Sequence, residues 1–319
     1  MSKEDDRQVI KFIQDLKWVL ESPSLLSPDF FPEDTINLNV DSEFIIRLRN
    51  YFLPKIASID FSSNDVLGFL KQRPSNRLGK YYEFLLEFLF LNYPDIDLIY
   101  KGLPLREDHS KTIGEFDFIL YDRQDRKIIH LEVAVKFYLK LKNENLTSSY
   151  IGPSFNDRLD KKMDKLLKQT RLSELPPAES VLGKIIQDWS SKQEMEIQFP
   201  ISLQRLALIQ GRLFYPYKEN KIFPDSLNLH HSKSYFITFD QLNTQKKFLR
   251  KFLILPRLDW LAEPTSFKWQ AAMYFNGFQK LLLQQMKKHN TSVYVLSKDF
   301  NSEIRSFFVL PDSIPHLPL

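Results

Sequence analysis

The sequence predicts an α/β fold, and three observations carry the prediction. From residue 75 the chain reads helix, three strands, helix, strand, an order that builds a mixed sheet flanked by helices. Ahead of it, residues 1–70 hold apolar residues at helical spacing. After residue 216, strand-like and helix-like runs alternate in a C-terminal α+β extension. The expected organisation is an N-terminal helical region (1–70), a central core (71–216) and a mixed region packed on it (217–319).

The elements follow in order. VIKFIQDLKWVL and SEFIIRLRNYFLPKI read as helices, and the prolines of SPSLLSPDFFPED stop the first. SNRLGKYYEFLLEFLFLN is a third helix, with Ser75 or Asn76 as its cap. Its Tyr81, Phe84, Leu85, Phe88 and Leu89 form one stripe, and Leu86, Phe90 and Leu91 carry the apolar surface further round, so it is buried. Glu83 and Glu87 on that helix need partners. IDLIYKGLPL, GEFDFILYD and KIIHLEVAVKFYL are strands, and SSYIGPSFN is a loop. NDRLDKKMDKLLKQTRL is an amphipathic helix with Leu159, Met163, Leu166 and Leu167 on one side. SELPPAES ends it, residues 178–200 connect onward, and LQRLALIQGRLFYPY is a strand. KSYFITF, TSVYVLS and IRSFFVL read as strands, TQKKFLRKFL and KWQAAMYFNGFQKLLLQQMKK as helices, and the tail PDSIPHLPL as extended.

Composition narrows the class. At 43% hydrophobic and 26% charged, the chain is ordinary for a globular protein. With no cysteine, disulfides and thiolate metal sites are excluded. The amino end lacks the apolar stretch of a secretory signal, and no run reaches the roughly 18 apolar residues of a span; a soluble cytoplasmic protein is expected. A net charge of +4 decides nothing about polyanionic partners. His109, His130, His230, His231, His289 and His316 show no zinc spacing and read as surface or packing residues. GxSxG, P-loop and GxGxxG patterns are absent.

The chemistry concentrates in the hairpin IGEFDFILYDRQDRKIIHLEVAVKFYL. Glu115, Asp117, Glu132 and Lys136 interrupt two apolar strands, and lone buried charges are costly. Residues two apart share a face, so Glu132, Ala134 and Lys136 point one way. With Gln124 and Asp125 at the centre of the turn DRQDRK, Asp117 falls opposite Glu132. Carboxylates so placed repel; either one takes a proton or a cation sits between them. An oxygen-rich pair suits Mg²⁺ or Mn²⁺. The competing reading pairs these acids with Lys136 and Lys101 in a buried ion network, and Glu115 stands as the alternative to Asp117.

Helix, three strands, helix, strand, with Asp117 and then Glu132…Lys136 on neighbouring strands, resembles the PD-(D/E)xK phosphodiesterase superfamily, the restriction-endonuclease-like fold. More narrowly, RLGKYYE, GEFDFIL, HLEVAVKFYL, GPSFNDRLDKKMDKLLKQ, GRLFYP and LPRLDWL resemble a bacterial family known as domain of unknown function 1853. The superfamily resemblance implies a metal-dependent nuclease. Asp117 and Glu132 would hold Mg²⁺ (or Mn²⁺), with the Val133 carbonyl as a further ligand. Glu83, or Glu87 in its place, would add a third carboxylate, and Lys136 would assist the water or phosphate. Lys161 and Lys165, on the basic helix, would contact nucleic acid, DNA or RNA; Gln169 lies on the same helix. The chain departs from the motif at one place: the lysine position two residues after the acid is Ala134, and Lys136 lies four residues after Glu132. Two further readings follow, a catalytically inactive nucleic-acid- or protein-binding module on the same fold, and a structural protein whose charges only pair.

Overall fold

The computed structural model describes residues 3–58, 63–73, 75–107, 111–196, 202–218, 222–245, 249–263, 266–289 and 291–313. His109, His316 and the end of the tail lie outside the described residues.

Three helices lead into the core. Helix α1 (Lys3–Glu21) carries Glu4, Asp5 and Asp6 in its first turn, where acids complement the helix dipole. It buries Val9, Phe12, Leu16, Val19 and Leu20, which recur at helical spacing. A short strand β1 (Thr35–Asn37) and helices α2 (Glu43–Ser58) and α3 (Ser63–Leu70) follow. Helix α4 (Leu78–Asn92) is buried as its composition requires, at Tyr81, Tyr82, Phe84, Leu85, Leu86, Phe88, Leu89 and Phe90. Its cap position is Arg77, whose N–H is met by the Ser75 hydroxyl at 3.1 Å.

Strands β2 (Ile96–Arg106), β3 (Thr112–Asp122) and β4 (Lys127–Lys140) form an antiparallel meander. Beyond the short strand β5 (Tyr150–Ile151) come helices α5 (Leu159–Thr170) and α6 (Pro176–Lys192) and strand β6 (Leu203–Pro216). Strand β6 runs parallel to β4, from Ile128↔Leu203 to Leu139↔Phe214. A parallel crossover needs a helical connection, and α5 and α6 supply it. Strand β7 (Lys233–Thr238), helix α7 (Phe239–Gln245), strand β8 (Leu249–Ile254), helix α8 (Phe275–His289) and strands β9 (Val293–Asp299) and β10 (Ile304–Leu310) complete the chain.

One mixed sheet of ten strands results, in the order β2-β3-β4-β6-β7-β10-β9-β8, with β1 beside β6 and β5 beside β4. The strands after residue 217 therefore extend the sheet that the core begins. On one face, α1, α2 and α4 cover Phe118, Leu131, Val133 and Val135. On the other, α5 covers Ala134, Ala207 and Ile209, and α6 covers Phe116, Ile119 and Ile128. Helix α8 packs on β7–β10 through Phe278, Leu282 and Met286. No described helix is long and apolar enough to cross a membrane.

Four local expectations need correction. Residues 178–200 are not a mere connection: Pro176–Lys192 is a helix, because Pro176 and Pro177 occupy its first turn, where a missing N–H costs nothing. TQKKFLRKFL does not carry the expected helix in its described residues: α7 ends at Gln245, and Leu249–Ile254 is a strand paired with β9, residues 246–248 lying outside the described residues. The stretch SSYIGPSFN contains the two-residue strand that pairs with the end of β4. The start of KWQAAMYF is a 3₁₀ segment, Ser266–Ala271, so α8 begins later, at Phe275.

Candidate metal centre

The hairpin adopts the register that the turn residues predict. Asp122 pairs with Lys127 and Phe118 with Leu131, and Asp117 and Glu132 are the next residues along the two strands. The regular ladder stops there, and the two carboxylates take up the backbone donors it releases. Val133 N–H donates to Asp117 Oδ2 at 3.0 Å, and Asp117 N–H points at Glu132 Oε1 at 3.5 Å. Each acid is thus held by the strand opposite it.

Glu132 is buried, at 1% exposure, and Asp117 is half-buried. Neither is paired with a lysine or arginine among the described residues. The network with Lys101 and Lys136 does not form: Lys101 binds Glu87 at 2.6 Å, and Lys136 makes no ion pair among the described residues. Glu132 Oε2 is buried with no hydrogen-bond partner. Burial first, then the charge of Glu132, then that of Glu83, push the Asp117 carboxyl well above the usual range; the Val133 N–H and Lys80 act against them. Burial pushes Glu132 up to about 8; the Asp117 N–H, hydrogen bonding with the Asp117 side chain and Lys165 oppose the rise, and Glu115 adds to it. Two adjacent carboxylates without a counter-charge are costly to ionise together. A cation between them removes that cost, and the orphaned Oε2 is a lone pair set to meet one. The donor set fits a hard divalent cation that keeps several of its own waters.

Glu83 stands at the edge of this pair. Its carboxylate bonds Lys80 Nζ at 2.8 Å, and the same ammonium reaches Glu115 Oε1 at 3.2 Å. Glu83 is close enough to raise Asp117, yet no three Asp, Glu or His side chains form a ready-made metal cage among the described residues. A groove of about 410 Å³ runs past Lys80, Glu83, Glu87 and Lys101. A larger cavity of about 660 Å³ lies elsewhere, between Ser154, Arg257 and α8, and no acid lines it, so size alone does not select the site.

Lys136 sits on the α5 side, one step along the sheet. Burial lowers its pKa, and Lys162 and Lys165 lower it further; Asp157 and Asp117 pull the other way. Asp157 is anchored by the Tyr138 hydroxyl at 2.8 Å and lies 3.7 Å from Lys162. The lysine's position depends on Gly211 of β6, its register partner. At φ +145° that glycine brings its Cα so close that a Cβ would stand 1.7 Å from the Lys136 carbonyl oxygen. Only glycine fits. Lys161 and Lys165 are exposed on α5, Lys162 and Gln169 half-buried.

One residue of the site escapes a search for zinc spacing. His130 is completely buried, contacts the Phe116 ring edge-on, and bonds Glu132 Oε1 through Nε2 at 2.9 Å. The legible signal is His-x-Glu on a strand, which puts both side chains on one face. His231, by contrast, is a packing residue, bonded to the Tyr215 hydroxyl at 2.7 Å.

Against known proteins, a family model described as a domain of unknown function (DUF1853) matches residues 14–305. No curated protein and no solved structure matches the chain.

Proposed function

We propose, for a chain that belongs to the DUF1853 domain-of-unknown-function family, a divalent-metal-dependent nuclease activity on a core of PD-(D/E)xK, restriction-endonuclease-like type. The observation that carries this reading is the close pair of half-buried Asp117 and buried Glu132, which has no lysine or arginine partner among the described residues and leaves Glu132 Oε2 unbonded. An ion network would place cations here; this pair lacks them.

Asp117 and Glu132 would hold Mg²⁺ or Mn²⁺, with the Val133 carbonyl as a further oxygen. When bound, the metal supplies an acidified water and charge neutralisation at a phosphate. Glu83, at the edge of the pair, would orient the attacking water once Lys80 turns to the substrate. Lys136, desolvated and without an acid bonded to it, would steady a phosphate oxygen. Lys165 and Lys161, exposed on α5, would contact the nucleic-acid backbone. The resemblance in element order supports the same assignment: α4, β2, β3, β4, α5 and β6 follow the sequence helix, three strands, helix, strand, with the short strand β5 and helix α6 added.

A second reading, a binding module that keeps the fold without catalysis, draws on Ala134 at the motif's lysine position and on Glu83 engaged by Lys80. Calorimetric titration of Mg²⁺ and Mn²⁺ into wild type and Asp117→Ala/Glu132→Ala separates the two, with cleavage assays on single- and double-stranded DNA and RNA. Metal binding and cleavage that vanish together in the variant support the nuclease. Nucleic-acid binding by a wild type that takes up no metal supports the module.

A further inference from the structure

The geometry assigns His130 as a positioning residue: a buried neutral donor that fixes Glu132 Oε1 so that Oε2 is left for a divalent cation. The assignment rests on the metal-dependent reading above and adds to it a residue that reading does not use.

Two observations lead here. First, the His130 ring is fully buried and meets Glu132 Oε1 at 2.9 Å, so the contact is screened by no water. Second, the two groups leave complementary atoms idle: Nδ1 of His130 and Oε2 of Glu132 are both buried without a partner. An ionised carboxylate only accepts, so with Glu132 charged the bond must run from Nε2–H, and a neutral ring then has no proton on Nδ1. The orphaned Nδ1 is a lone pair, less costly than a stranded N–H cation.

A neutral donor has a specific value at this place. Lysine or arginine behind Glu132 would fix the carboxylate equally well, but would cancel the charge that a cation needs. Histidine fixes one oxygen and leaves the charge in place. Hydrogen-bond partners behind metal ligands typically change affinity by about 10–100-fold when removed. A purely structural histidine in an apolar layer has no reason to keep one nitrogen unbonded and the other on a catalytic-type acid.

The test compares His130→Gln with His130→Met. The two side chains are of similar length and unbranched, but only glutamine can donate to Glu132. Mn²⁺ titration by calorimetry is run on wild type and both variants, after thermal melts in chelator confirm that each folds. The expected result is a loss of about 10–100-fold in Mn²⁺ affinity for the methionine variant, with glutamine close to wild type. Equal affinity in all three, or equal loss in both variants, overturns the assignment while leaving the metal reading intact. A wild type that binds no Mn²⁺ overturns both. A measurement without substitution stands beside it: ¹⁵N NMR of the Mg²⁺-loaded wild type should find the His130 proton on Nε2. A proton on Nδ1 overturns the assignment even if neither variant folds.

Discussion

Two buried carboxylate sites in this protein look alike in sequence and differ in what surrounds them. Asp15 of α1 and Glu132 of β4 are each 1% exposed. Asp15 is fully engaged. Its Oδ2 accepts from Lys11 and from the Tyr81 hydroxyl at 2.7 Å, and its Oδ1 faces the Ala262 N–H at 3.4 Å. Lys11 in turn bonds the Leu258 carbonyl and lies 3.6 Å from Asp259, which also pairs with Lys268. That network ties α1 and α4 to the segment after β8. Glu132 has a neutral histidine, one long backbone contact and a bare oxygen. A carboxylate at the same depth is a clamp in one place and keeps an unbonded oxygen in the other.

The comparison is broken first at the reaction itself. Asp117→Asn or Glu132→Gln should lower metal-dependent phosphodiester cleavage by about 100-fold or more, as loss of a group that stabilises charge in a transition state does. Asp15→Ala should leave that rate nearly unchanged. Cleavage rates of purified, folded variants decide it, and equal losses at both sites would erase the distinction.

Stability should respond in the opposite sense. Asp15→Ala strands Lys11 beside a desolvated surface and should cost about 3 kcal/mol, the low end for a broken buried pair because Asp259 remains. Glu132→Gln in chelator should keep the wild-type stability to within about 1 kcal/mol or exceed it, since no cationic partner is stranded. Urea unfolding of the two variants measures both.

A pH series sharpens the contrast. Glu132 has its folded pKa raised from 4.5 to about 8, so the folded state binds the extra proton. Its contribution is therefore fully present below pH 4.5 and is lost as the pH rises through about 8. Asp15 is raised as well, by burial against the pull of Lys11 and Tyr81, and shares the sign. The difference between wild type and Glu132→Gln isolates the first group. Melting temperatures in chelator should shift in favour of the variant between pH 5 and 9; a difference that does not move with pH refutes the shift.

The smallest effect belongs to α5. Lys165→Ala should weaken duplex binding in a sequence-independent way and reduce the slope of log affinity against log salt by about 0.9, the value of one phosphate contact. An unchanged slope in a binding titration removes Lys165 from the interface.

Much of this site was legible before any coordinates. The apolar alternation of GEFDFILYD and KIIHLEVAVKFYL, with a polar turn between, was enough to set Asp117 against Glu132. The encircling apolar surface of α4 made it a buried helix. Less was legible where a short apolar run suits either period: FLRKFLIL is compatible with helix and strand, and pairing with β9 decides for strand. Prolines at 176 and 177 read as terminators, though they equally well open a helix.

The sequence by itself determined the hairpin, its register and the identity of the acids that face each other, because turn chemistry and alternation are local. Only the tertiary structure decided which acids keep partners. Lys101 could serve any of several carboxylates, and the packing of β2 on α4 gives it to Glu87. Lys80 meets Glu83 three residues along its own helix, a local pairing, and only the tertiary fold brings it Glu115 of β3. Asp117 and Glu132 have no lysine or arginine partner among the described residues, because ion pairing falls off over a few ångströms and such distances between elements far apart in the chain are set only when the helices settle on the sheet.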